Sequence, residues 1–245
     1  MGILDEAVDI SELKQCGLWT VYGKSGSGKT AFIGTFPKPL LYVKIGDDGS
    51  NTIRNVEGIK VIVADTPEKA KKILTEARKD KTYKTVALDT FGLIVNEWVN
   101  DNIVAKKKRM TQQSWGDLKT DVDELVRLAH KLSEKKIVVL SLHEIMDSIE
   151  GLEDEILPDV RPNINKATRN YLEGMSNFGI HTTKVMKERI SKKTGETKEV
   201  VMFAAHVGAN PYYWTKLQVS PDTSVPELVY NPTYDKIMNI INGGE

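Results

Sequence analysis

The sequence of 245 residues holds one cysteine, Cys16. A lone thiol excludes an internal disulfide and offers no cluster for a metal. It reads most simply as a buried structural thiol, and a cytoplasmic protein is the expected setting. No stretch approaches the apolar length needed to span a membrane. The first residues, Met1-Gly2-Ile3-Leu4-Asp5-Glu6, are acidic where a secretory signal would be basic. Gly2 invites myristoylation, but Glu6 stands where Ser or Thr is required. Net charge is missing too, since 34 basic residues balance 34 acidic ones. That argues against a protein that coats nucleic acid through bulk charge, so such binding has to come from particular segments. Internal repeats and low-complexity tracts are absent. The remaining composition, 40% hydrophobic and 28% charged, suits a globular domain.

What is present begins with Gly23-Lys24-Ser25-Gly26-Ser27-Gly28-Lys29-Thr30, which spells G-x-x-x-x-G-K-[ST]. Leu18-Trp19-Thr20-Val21-Tyr22 before it reads as a buried strand, and Ala31-Phe32-Ile33 after it open a helix that stops before Pro37. Strand, glycine loop and helix start are the setting of a phosphate-binding loop. Glycines let backbone N–H groups approach phosphate oxygens, and the helix start adds partial positive charge. In such a loop Lys29 reaches the β- and γ-phosphates, and the Thr30 hydroxyl holds Mg²⁺.

Strands and helices alternate along the chain. Apolar runs at residues 40–45, 60–64, 85–89 and 137–142 read as further strands. Thr66-Pro67 starts a charged helix that runs to about Arg78. Leu118, Val122, Leu125, Val126, Ala129 and Leu132 share one helical face. The alternation predicts an α/β fold, a mostly parallel sheet flanked by helices. Residues 145–170 show little periodicity and are expected to be irregular. Two strand-like runs, 181–190 and 199–205, bracket a Lys/Gly turn and predict a β-hairpin. The expected division is an N-terminal segment (1–16), a core (17–180) and a β-rich C-terminal extension of the same domain (181–245).

Asp89 ends a hydrophobic strand 59 residues after Thr30 and suits a Mg²⁺ contact, although an Asp before Phe91 could also cap a helix. Hydrolysis needs a group that orients water. Asp47 and Asp48 follow the second strand and His143-Glu144 follow the fifth, at the carboxyl ends where open α/β sheets bind ligands. The two aspartates also suit a turn between Gly46 and Gly49. His143 is placed to hydrogen-bond the γ-phosphate. Lys106-Lys107-Lys108-Arg109, with Trp115 close behind, could track a phosphate backbone and stack a base. Cations at a helix end read equally well as partners of the macrodipole. The hairpin tip Lys192-Lys193 is another basic candidate.

The residue 23–30 loop, the acidic end of residues 40–50, Lys84-Thr85-Val86-Ala87-Leu88-Asp89, Trp115-Gly116 and Leu140-Ser141-Leu142-His143-Glu144 together resemble phage-encoded, RecA-like P-loop nucleotide-binding proteins of the Sak-type single-strand annealing group. The resemblance implies a RecA-like core, ATP with Mg²⁺, and rings or filaments with nucleotide between subunits. It also implies a role on single-stranded DNA in phage recombination or replication, in the host cytoplasm, with a phage single-strand binding protein as a further partner. Lys29 and Thr30 match the nucleotide lysine and metal threonine, and Asp89 matches the second acidic motif. Family members tend to carry Glu after the second strand, where this chain has the shorter Asp47-Asp48. His143 stands at the polar phosphate sensor. Lys216 falls in the region of a cation given to the neighbour's nucleotide, though a strand lysine is often merely solvated. Residues 145–170 take the place of a DNA loop, with Arg161, Lys166 and Arg169 as phosphate contacts beside several acidic residues. Two other readings remain: a nucleotide switch that controls a protein partner without DNA, and a small-molecule phosphotransferase. The second would need an arginine-rich lid that the sequence lacks.

Overall fold

A computed structural model describes residues 16–46, 49–150, 156–190 and 197–244. Five strands form a parallel block: β1 (Gly17–Tyr22), β2 (Leu40–Lys44), β3 (Ile59–Val63), β4 (Thr85–Asp89) and β5 (Ile137–Leu142). β8 (Phe178–Ile190) continues the sheet by pairing parallel to β1, and β9 (Thr197–His206) and β10 (Leu228–Tyr230) complete it with antiparallel pairs. The order across the eight strands is β10-β9-β8-β1-β5-β4-β2-β3. β1 and β5 are central and buried throughout, which is why their sequences are nearly continuous apolar runs. β3 lies at the edge, where Val61 and Val63 remain exposed.

Helices cover both faces. α2 (Pro67–Ala77) starts at Thr66, whose side chain accepts a hydrogen bond from the Lys69 amide. α4 (Gln112–Ser133) starts with a capping box between Thr111 and Ser114. All six apolar positions of its stripe are buried against the face that α2, α3 (Ile94–Val99) and β5 also line. The other face packs α1 (Lys29–Ile33) and α6 (Tyr234–Ile241) around Trp19 and Phe36, with Tyr234 in ring contact with both. The mostly parallel α/β sheet and the long hairpin of β8 and β9 match the sequence expectation. β10 and α6 add elements that it lacked.

Residues 145–170 depart from expectation. β6 (Glu144–Glu150) and β7 (Ile156–Pro162) pair antiparallel as a separate ribbon, with Met146 opposite Val160. α5 (Lys166–Met175) follows, its first turn capped by the Asn165 side chain. Among the described residues the outer edge of β7 is bridged only at Val160, which bonds the Tyr212 carbonyl and the Trp214 amide, so Pro158 and Pro162 on either side are tolerated, and they hid the strand signal. The ribbon is fastened to the domain by the Tyr22 hydroxyl, which donates to the carbonyls of Val160 and Trp214 at 3.1 and 2.8 Å. Cys16 is half-buried, not buried as expected.

Candidate active site

β1 delivers the chain into the glycine loop, and α1 leaves it at Lys29. Gly28 has φ of 96°, and a methyl group there would lie 2.7 Å from Phe203 Cδ1, so both conformation and space demand glycine. At Gly23 a methyl group would lie 2.2 Å from the Thr182 carbonyl oxygen, so β8 runs against the back of the loop. There the Thr182 hydroxyl donates to the Tyr22 carbonyl at 3.2 Å and sits 2.7 Å from Ser27 Oγ. The Lys29 ammonium is buried and donates to the Gly23 and Lys24 carbonyls, both at 2.9 Å. Burial lowers its pKa, and the negative charges of Asp89 and Glu144 oppose that shift. It crosses the loop that it would serve once phosphate replaces those carbonyls as partner.

Asp89, at the end of β4, is 1% exposed. Its Oδ2 accepts from Thr30 Oγ1 and the Tyr42 hydroxyl, each at 2.7 Å. Its Oδ1 accepts from Ser141 Oγ and from Thr90 Oγ1. Four hydroxyls thus compensate a buried carboxylate that forms no ion pair within 4 Å among the described residues. A hydroxyl and a carboxylate in direct contact are the hard oxygen donors that Mg²⁺ takes beside phosphate and water. Among the described residues no cluster of three or more His, Cys, Asp or Glu could hold a metal.

Ser25, Gly26, Gly28, Lys29, Thr30, Asp89, His143 and Phe203 line one cleft of about 540 Å³ with their neighbours. The expected loop, the metal pair and His143 therefore converge. Burial is the largest cause lowering the His143 pKa, Lys29 adds to it and Asp89 opposes it, so the ring is neutral near pH 7. Gly49 also lines the cleft, and a methyl group on it would lie 2.7 Å from Thr30 Oγ1. Asp47 and Asp48, just before it, lie outside the described residues, as do Lys192 and Lys193.

The remaining cations are scattered. Lys216 is absent from the lining of its own cleft and donates to the Glu173 and Gly174 carbonyls at 3.1 and 3.2 Å. Arg161 pairs with Asp159 and Glu173, and the 7% exposed Arg169 pairs with Asp147 at 2.9 Å. Those two arginines fasten the ribbon to α5. Lys106, Lys107, Lys108, Arg109, Trp115 and Lys166 are exposed, and Lys106 donates to Asn102.

Sequence reasoning missed the residues that hold the site. Tyr42 and Ser141 were polar atoms in apolar strands, a signal that could have been read. Thr182 and Phe203, far along the chain, left none. Glu144 was placed with His143 among the polar candidates after the fifth strand, and its carboxylate instead meets His181 Nε2 at 2.8 Å behind the loop. His181, 2% exposed, stacks on Tyr213 at 4.1 Å, and His206 stacks there too at 4.4 Å. Desolvation, the largest cause, lowers the His181 pKa to about 4 against the opposing pull of Glu144. A larger concavity of about 950 Å³ lies between Cys16, Arg78, Lys81, Lys84 and Lys135 at the amino ends of the strands. It holds none of the phosphate-binding residues, so the chemistry and not the volume locates the site.

No helix among the described residues is long and apolar enough to cross a membrane. The profile of a family described as an AAA domain matches residues 18–207. No curated protein matches the chain.

Proposed function

This chain belongs to the AAA-domain family, and from that premise we propose that it couples Mg²⁺-dependent ATP hydrolysis to the handling of single-stranded DNA. One observation carries the ATPase reading. Thr30 and Asp89, 59 residues apart, meet at 2.7 Å beside the Lys29 ammonium and the glycine loop. The loop amides and Lys29 bind the triphosphate, and Thr30 and Asp89 hold the cation. Mg²⁺, when bound, neutralises charge on the phosphate oxygens. Neutral His143 hydrogen-bonds the terminal phosphate, and Asp47 or Asp48 orients the water.

The DNA part rests on the resemblance to Sak-type annealing proteins and on one exposed surface. Lys107, Lys108 and Arg109 have no acidic partner within 4 Å among the described residues, and Trp115, 56% exposed, opens the helix that follows. Exposed cations followed closely in the chain by an exposed indole suit a flexible strand with unstacked bases. Lys166 is a further phosphate contact. The polymer reading follows the same resemblance: a homo-oligomer, ring or filament, in which Lys216 of one copy faces the next copy's nucleotide, in phage recombination or replication. A phage single-strand binding protein belongs to the same proposal. Mixing Lys216→Ala with Lys29→Ala restores part of the turnover if that lysine acts across an interface.

The deciding measurement is phosphate release with Mg²⁺ and ATP, with and without single-stranded DNA at low salt. The reading expects turnover that rises with DNA and binding that weakens steeply with salt. A turnover indifferent to saturating DNA favours the second reading, a nucleotide switch for a protein partner. Zero net charge and the exposed Ile145 and Met146 of the ribbon support that alternative.

A further inference from the structure

The cleft has two chemically different ends. At one stand Asp89, Thr90 and His143, on the tips of β4 and β5. At the other stands Phe203 of β9, on the far side of β1 and β8 in the sheet order. Its ring lies against Gly28, the residue that leads into α1, yet it remains 40% exposed. Its cross-strand partner Lys184 sets Nζ 5.6 Å from the ring centroid, above the tip of the loop near Gly26. Apart from Leu93, which follows β4 at the metal end, the remaining lining residues are small or polar. Among the described residues that line the cleft, Phe203 is therefore the one broad apolar face at the end away from the metal pair.

We propose that Phe203 is the platform on which the nucleobase stacks, so that the hairpin of β8 and β9 forms the base subsite. The inference rests on reading residues 23–30 as a nucleotide loop. The terminal phosphate belongs with the metal pair and His143, so the chain of phosphates runs along the loop away from Asp89. The sugar and base then emerge at the opposite end, where the phenyl ring is part exposed. A flat base on that face removes apolar area from water and gains stacking. Phenylalanine brings no hydrogen-bonding group, so the platform holds adenine and guanine alike. The Lys184 ammonium, 5.6 Å from the ring centroid and beside the loop, favours an anionic ligand there.

The test is calorimetric titration of the full chain with Mg²⁺ and ATP, GTP or inorganic tripolyphosphate. Phe203→Leu keeps an apolar side chain against Gly28 but removes the ring; Phe203→Trp restores a larger one. The expected result is roughly tenfold weaker ATP and GTP binding in the leucine variant, with recovery in the tryptophan variant. Tripolyphosphate binds all three proteins equally. Unchanged ATP affinity in the leucine variant overturns the proposal. An equal loss for tripolyphosphate also overturns it, because Phe203 would then only support the loop. If the parent binds neither ATP nor tripolyphosphate, the nucleotide reading itself falls, and the platform with it.

Discussion

Two walls of unlike chemistry hold the phosphate loop. The wall of β2, β4 and β5 is a cage of hydroxyls around one carboxylate, in which Thr30, Tyr42, Thr90 and Ser141 all donate to Asp89. The wall of β8 and β9 is built of rings. There His181 and His206 stack on Tyr213, Glu144 takes the one outward bond of His181, and His181 Nδ1 has no hydrogen-bond partner among the described residues. The first wall fixes a negative charge by satisfying it with hydrogen bonds. In the second wall burial disfavours the charged form of His181 and leaves its Nδ1 unmatched, so stability there responds to pH. His143 and Glu144 sit at the fork: consecutive residues, one lining the cleft and the other behind the loop.

The largest effect is expected from breaking the hydroxyl cage at its centre. Asp89→Asn keeps the volume but removes the charge, and turnover should fall on the order of a thousandfold, with ATP binding much less affected. Phosphate release beside calorimetric ATP affinity checks this; parental turnover in the variant would remove Asp89 from the mechanism.

Next comes the ring wall. The folded pKa of His181 is lowered to about 4 from 6.5, so the folded protein prefers the neutral ring. Its stabilising contribution is complete above pH 6.5 and declines as pH falls toward 4, because the unfolded chain binds the proton first. The full span corresponds to roughly 3 kcal/mol. His181→Gln retains a donor for Glu144 without an ionisable ring, and denaturant melts at pH 7 and 4.5 should show a flatter profile. A slope equal to that of the parent would locate the pH response elsewhere.

Lys29→Ala should weaken ATP binding roughly 10- to 100-fold, since a charge-assisted phosphate contact is lost. It should leave the fold intact, because the ammonium now meets only two loop carbonyls. Smallest is Tyr42→Phe, which removes one of four donors to Asp89 and should cost about 1 kcal/mol in thermal or denaturant unfolding. A loss as great as that from Asp89→Asn would show that the cage acts as one unit rather than as additive bonds.

The first wall was largely legible and the second was not. Residues 23–30 are contiguous, and Asp89 ends a continuous apolar run, so motif and strand could each be read locally. The stripe from Leu118 to Leu132 likewise announced α4, because helical spacing leaves its mark in one short window. Residues 145–170 misled for a physical reason. Asp159 stood among the acidic residues beside the expected DNA contacts, whereas it pairs with Arg161, and Glu173 and Asp147 pair with Arg161 and Arg169 within the ribbon and α5. A pairing of that kind depends on which strands lie side by side, and no spacing in the chain reveals it. Phe203 was an ordinary strand residue until the hairpin brought it over Gly28.

By itself the sequence determined the loop, its lysine and threonine, the strand that ends in Asp89, and the alternation that makes a mostly parallel sheet. These depend on local backbone freedom and on burial patterns within a single element. The tertiary structure decided what surrounds the loop: the hydroxyls that hold Asp89, the imidazole and tyrosine stack behind it, and the phenyl ring at its open end. Several of those contacts join residues far apart in the chain, such as Tyr42 with Asp89, Ser141 with Asp89 and Phe203 with Gly28, and only strand order and register place such atoms within hydrogen-bonding or van der Waals distance.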